Sequence, residues 1–289
     1  LNKLRSRAKP NKAATQTTTT RKSNMTLFLR KYFVLTRRSL AVMLEYRVSM
    51  LIWMLSASFP LVMLAVWLSL AQDGPVGGYS AGDFVAYYLL SFYMRQMTAV
   101  WVAWDLDYDI RHGDLNTKLL HPLSPIHDYI SYNLADKVLR ALIFTPMVIA
   151  VAWLVPGVTF AATPFHLTCF VLAVIGAWAM RYLSQFSLGL FTFWFSQALV
   201  LTDVFWMLFL LFGGGIAPID LLPEPLRTLA YGLPFRYMMS FPIEIMLGRL
   251  TPVEIFVGLG SVALWVMVLL GAYRFLWARG MRHFGAFGA

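Results

Sequence analysis

The sequence predicts an all-α, multi-pass membrane protein, and three observations carry that prediction. Of 289 residues, 59% are hydrophobic and 13% charged, whereas soluble chains carry about 45–50% apolar and about 25% charged residues. Several apolar runs reach the roughly 20 residues that a helix needs to cross a bilayer. Twelve of the 24 Lys and Arg lie in residues 1–47 beside one acid, Glu45, the asymmetry that holds that end in the cytoplasm. The net charge of +10 therefore reads as topology, and no nucleic-acid partner is expected. The single cysteine, Cys169, has no partner for an intramolecular disulfide and reads as a small core residue.

Residues 1–24 are basic and polar, with too few apolar side chains to offset the entropy of ordering, and are expected to be a disordered leader. They lack the apolar core and cleavage site of a signal peptide. Met25 opens a more usual membrane-protein start, so the leader is either an upstream extension or part of the natural chain. From 26 to 47, steps of 100° gather Arg30, Lys31, Arg37, Arg38 and Glu45 into one arc, with Leu27, Phe28, Phe33, Leu40 and Met43 largely elsewhere. That pattern predicts an amphipathic interfacial helix at the cytoplasmic surface. It either anchors to anionic lipid or meets a cytoplasmic partner.

Six transmembrane helices are expected at about 48–71, 83–104, 138–155, 165–187, 196–212 and 253–277. Pro60 and Pro146 fall inside the first and third. Apolar sequence from 165 to 212 is long enough for two helices, so a turn must lie near 187–196. Residues 105–137 form the long polar stretch between spans, ending in an amphipathic segment at 126–137. Residues 213–252 are apolar but interrupted by Gly213, Gly214 and Gly215 and by Pro218, Pro223, Pro225, Pro234 and Pro242. No 20-residue helix fits there. Two short helices, near 223–231 and 235–247, are expected to dip into the membrane and return. Residues 280–289 make a cytoplasmic tail. With both ends inside, 20 of the 24 basic residues fall in cytoplasmic segments, Arg181 among them, as the positive-inside rule requires. The chain shows no internal repeat of the kind many secondary transporters carry.

Catalytic chemistry finds little support. The segment from Gly213 to Pro218 lacks the lysine of a phosphate-binding loop, and the five histidines lack helical zinc spacing. Asp105, Asp107 and Asp109 alternate at a helix exit and read as a charged surface. No catalytic residue, metal site or cofactor is expected in this chain. Arg95 stands out, because an arginine near the bilayer centre costs at least ~2.5–3.5 kcal/mol unless compensated. Asp203, at similar depth in the fifth span, is the candidate partner: the two either pair or line one water-filled lane. Tyr88, Phe92 and Trp206 add aromatic walls, which either hold an apolar or cationic solute or face lipid. Arg95, Asp203, Tyr88, Phe92 and Trp206 thus form the candidate substrate lane. In the polar loop, Gly113, Pro122 and Pro125 with the apolar pair Leu119 and Leu120 suit docking to something in the cytoplasm.

Two segments carry a family resemblance. One is Ile110-Arg-His-Gly-Asp-Leu-Asn-Thr-Lys-Leu-Leu-His-Pro-Leu; the other runs Gly214-Gly-Ile-Ala-Pro, Leu222-Pro, Leu233-Pro-Phe and Phe241-Pro-Ile-Glu-Ile-Met-Leu-Gly. Over about residues 25–279 the sequence resembles the membrane subunits of ABC-2 type ATP-driven transporters, in particular the branch near daunorubicin-type and related bacterial efflux permeases. His121 stands where the family usually has Arg. The resemblance implies a cytoplasmic coupling helix around Gly113, Leu119, Leu120, Pro122 and Leu123, with Arg37 and Arg38 of the interfacial helix nearby. It also implies an external re-entrant pair using Pro218, Pro223, Pro234, Phe235 and Pro242. The expected assembly is two permeases, of the same or related chains, above two ATPase subunits that hold ATP and Mg, in the bacterial cytoplasmic (inner) membrane with both termini inside. The expected function is export of a small molecule, amphiphile or lipid-like substrate. The alternative is a non-transporting scaffold or channel subunit.

Overall fold

The computed structural model describes residues 34, 37, 59–120 and 124–284. Of the interfacial helix expected at 26–47, Val34 and Arg37 are helical and exposed; the rest, Arg38 included, and the first half of the first span lie outside the described residues. The described chain is helical, with one isolated antiparallel bridge between Val76 and Tyr79. Three helices are long and apolar enough to cross a membrane, and two shorter apolar ones accompany them.

Helix α1 (Phe59–Leu70) leads through the Val76/Tyr79 turn to α2 (Ala81–Thr98). Ser80 and Asp83 cap α2 reciprocally, each side chain taking a backbone N–H that the first turn leaves unpaired. The second span was expected to continue to 104, but α2 stops at Thr98 and the chain turns extended at Ala99. The Thr98 hydroxyl donates back to the Met94 carbonyl at 2.7 Å, and Lys137 Nζ donates to the Ala99 carbonyl at 2.5 Å. The first is the i−4 back-bond that bends helices, and the second satisfies a carbonyl just past the helix end. Helix α3 (Val102–His112) then ends on Gly113, whose φ of +79° suits a residue without Cβ, and α4 (Asp114–Leu119) follows at once.

Helix α5 (Pro125–Leu154) is longer than the expected third span. Pro125 opens it, where a missing N–H costs nothing, and no breaker intervenes before Pro146. The amphipathic segment and the span are therefore one rod. Helix α6 (Pro164–Gly189), capped by Thr163, runs into a 3-10 turn at Leu190–Phe193, and α7 is Val200–Phe212. The turn expected between the fourth and fifth spans is present there.

A 3-10 turn at Ile219–Leu221 precedes α8 (Glu224–Gly232), α9 (Pro234–Met238) and α10 (Ser240–Met246). The second short helix was expected to be continuous; it is broken at Met239. A helix running through 242 would press the Pro242 ring on the Met238 carbonyl. Placed instead in the first turn of α10, Pro242 costs no hydrogen bond. Helix α11 (Pro252–His283), capped by Thr251 and Glu254, closes the chain.

Helix α6 is the central post, packing against α2, α3, α7, α9, α10 and α11. Its closest partner is α11, where a Cβ on Gly176 would lie 2.2 Å from Val262 Cγ1. One large apolar core surrounds its first half and a second one, with Leu106, Leu115, Tyr129 and Phe186, surrounds its last turns. The molecule thus has two ends: a loop end formed by α3, α4 and the start of α5, and a cap end formed by α8, α9 and α10. Outward faces of α5 and α11 expose Leu142, Ile149, Trp153, Phe256, Val257 and Met267. In water such surface would be unfavourable; against lipid tails or another apolar helix it is not.

Candidate functional site

At the cap end, the glycine-rich segment is clamped by aromatic donors. Tyr87 donates to the Gly214 carbonyl at 2.8 Å, while Tyr88 and Trp67 donate to the Ile216 carbonyl at 2.8 and 2.9 Å. Gly214 has φ +87°, and a Cβ there would lie 2.4 Å from the Tyr87 hydroxyl. Glycine alone satisfies both the dihedral and the approach. Beneath this segment Arg236 and Glu244 pair at 2.5 Å, both buried, and Ser240 donates to the second carboxylate oxygen, also at 2.5 Å. The Arg236 guanidinium rests 4.1 Å from the Tyr231 ring centroid. Tyr79 and Tyr231 both donate to Asp220, at 3.2 and 3.1 Å. Burial, then the charge of Asp220, hold the Tyr79 phenol well above its ordinary range, so it remains a donor.

The proline positions singled out in the sequence lie where these elements begin. Pro218 precedes the 3-10 turn, Pro223 precedes α8, Pro234 opens α9 and Pro242 lies in the first turn of α10. Phe235 is buried, edge-on to Phe205 of α7 at 5.5 Å.

At the loop end the reading of Asp107 and Asp109 as a solvated surface is overturned, because both are buried and paired. Asp107 takes Arg111 Nε at 2.9 Å and the Thr192 hydroxyl at 2.7 Å. Asp109 takes Lys118 and the Tyr129 hydroxyl. Each carboxylate joins α3 to another element, the first to the 3-10 turn and the second to α4 and α5. The sequence signal for the first was the i, i+4 spacing of Asp107 and Arg111.

The positions expected to couple to an ATPase divide. Gly113 makes the bend between α3 and α4. Leu115, not singled out from the sequence, is the fully buried anchor of α4, Leu119 packs partly against it, and Leu120 is 86% exposed. His121, Pro122 and Leu123 lie outside the described residues.

The expected substrate lane also divides. Arg95 lies in the last turn of α2 and Asp203 in the first turn of α7. Both are therefore near helix ends. Among the described residues no ion pair joins them, and Asp203 is exposed. Arg95 instead approaches Trp206, 6.0 Å from its ring centroid. Tyr88 is buried and its hydroxyl is committed to Ile216; Phe92 packs edge-on to Phe144 at 5.3 Å.

Arg181, which the positive-inside count placed in a cytoplasmic segment, is 1% exposed inside the helix bundle. Its guanidinium lies 4.1 Å from the ring centroids of both Trp206 and Phe209, and one terminal nitrogen donates to the Thr98 hydroxyl at 3.2 Å. A lone arginine in an apolar run carries no sequence signal that tells a helix end from a buried site.

Comparison with known families settles the class. The family described as ABC-2 family transporter protein matches residues 39–288, nearly all of the chain. The chain belongs to the ABC-2 transporter family. No characterised protein and no solved structure matches it significantly. An ABC-2 permease is the membrane component of an ABC transporter and works with an ABC ATPase. The exposed apolar faces of α5 and α11 and the proline-broken segment at the cap end belong to such a multi-pass permease.

Proposed function

We propose that this ABC-2 permease exports a small molecule, amphiphile or lipid-like substrate across the bacterial cytoplasmic (inner) membrane. Its subunit crosses six times with both termini in the cytoplasm. It pairs with a second permease, the same chain or a related one, above two ATPase subunits that bind ATP and Mg. In this orientation the loop end faces the cytoplasm and the cap end faces outward.

The observation that carries the reading is the division of polar chemistry between two ends of one apolar bundle. At the loop end, buried carboxylates bolt α3, α4 and α5 into one unit that presents Leu120 outward, the form expected of a surface that receives force from an ATPase. At the cap end, short helices closed by Arg236, Glu244 and the Tyr79 and Tyr231 donors seal the bundle. Opening one end while the other stays sealed is alternating access. The likeness to daunorubicin-type permeases supports the outward direction.

The test is to purify the chain with the products of neighbouring genes, reconstitute the complex in liposomes, and measure ATP hydrolysis with and without candidate amphiphiles. Substrate-stimulated hydrolysis with ATP-dependent movement is the expected result. A stable complex whose hydrolysis is indifferent to every amphiphile, and which moves none, would leave a scaffold.

A further inference from the structure

We infer that Arg181 and Arg95, set around Trp206, form a binding site for an anionic group, a phosphate or carboxylate carried on an amphiphile. The inference rests on the permease reading above and names the substrate class at its central site.

Three helices build the site. Arg95 comes from α2, Arg181 from α6 and Trp206 from α7, and the two guanidiniums share one indole, at 6.0 and 4.1 Å from its centroid. Among the described residues neither arginine has a carboxylate within ion-pair distance. Like charges brought together in low dielectric repel unless an anion lies between them. The nearest acid along these helices, Asp203, lies one turn from Trp206 and is exposed. The rings of Trp206 and Phe209 stabilise the Arg181 cation but supply no hydrogen-bond acceptor in the plane of the guanidinium.

Unspent hydrogen-bonding groups gather on the same helix faces. Arg181 Nε is buried with no acceptor. Gln185, four residues on and fully buried, has neither amide atom partnered, and the Thr202 hydroxyl, four residues before Trp206, is buried and unpartnered. Buried polar groups left unpaired cost roughly 1–3 kcal/mol each, and nearly all such groups in folded proteins find a partner. A guanidinium edge with one N–H free, a second guanidinium and neutral donors suit an oxyanion, because Arg presents several N–H groups in one plane.

Position argues for an amphiphile. Arg95 lies in the last turn of α2 and is only half-buried, and Trp206 is likewise half-buried, while Arg181 lies deeper. The site therefore opens at its Arg95 side, near the loop end of the bundle, with Phe205 and Phe209 continuing inward along α7. A charged head meets arginines there while an apolar body lies along aromatic walls.

The test is binding to the purified permease, which needs no ATPase and so separates failure of this site from failure of the transport reading. Native mass spectrometry would count retained molecules of dioleoyl phosphatidylglycerol against dioleoyl phosphatidylcholine, and of dodecyl phosphate against dodecyl maltoside. We expect about a tenfold preference for the anionic member of each pair, lost in Arg95→Gln and Arg181→Gln and partly kept in Arg181→Lys. Arg227→Gln, at the cap end, should keep it. Displacement of dodecyl phosphate by millimolar inorganic phosphate would identify a free anion as sufficient; resistance would identify the headgroup with its chain. Arg95→Gln, on a half-exposed side chain, keeps the test decisive should Arg181→Gln fail to fold. Equal retention of anionic and neutral probes, or a preference unchanged in Arg95→Gln, overturns the site.

Discussion

Glu244 illustrates how a single side chain can hold several elements in place. Its carboxylate receives Arg236 on one oxygen and Ser240 on the other, deep beneath the glycine-rich segment. Removing one partner of such a pair leaves an uncompensated charge and costs on the order of 3–5 kcal/mol. Glu244→Gln is therefore expected to lower the thermal midpoint of the detergent-purified protein sharply, and Arg236→Met combined with Glu244→Met should recover part of the loss. A midpoint unchanged in the single variant would mean that the pair contributes little. Arg95 and Asp203 behave differently. Because no ion pair joins them, Arg95→Met and Asp203→Asn should change stability additively, within about 0.5 kcal/mol, as independent sites do. Mutual rescue in the double variant would show that they meet after all.

At the level of elements, α4 separates anchoring from presentation. Leu115 is buried against α3, α5 and α6, whereas Leu120 projects at the end of the same helix. Leu120→Asp should leave insertion and the thermal midpoint unchanged but uncouple the partner's ATP hydrolysis from transport, read as loss of substrate stimulation in liposomes. Full stimulation in that variant would remove α4 from the coupling surface. The sequence pointed to the apolar pair Leu119 and Leu120 and to the bend at Gly113; which leucine is buried depends on how a six-residue helix is rotated, and that is set by tertiary packing. The break after Thr98 was hidden for a related reason. Nothing in the residues 99–101 is a strong helix breaker, and the donor that satisfies the Ala99 carbonyl at the break comes from Lys137, on another helix. Where proline marked the start of an element in the sequence, as at Pro223, the short helix expected near 223–231 is found at Glu224–Gly232.

Across the whole molecule, the apolar runs of the fourth and sixth segments were legible because hydropathy survives averaging over a window. Arg181 was not, because the same averaging makes one charge in a long apolar run look like an end. The proposed orientation has a direct check. A cysteine at exposed Glu224, in the first turn of α8, should react with an impermeant maleimide applied from outside. The background is low, since Cys169 is buried. Labelling from the cytoplasmic face alone would invert the topology. The continuity of α5 bears on how the two ends communicate. Thirty residues in one helix at about 1.5 Å each make a lever about 45 Å long, whose short arm is gripped by Asp109 through Tyr129 and by the Ala99 carbonyl through Lys137. A small tilt imposed at that grip becomes a displacement of several ångströms near Leu154, beside the turn that bonds Ala161 to Met246 of the cap. Pro146 is the one place along the rod where the backbone lacks its hydrogen bond. Compliance at that point would let a push on the loop end reach the cap end as a bend.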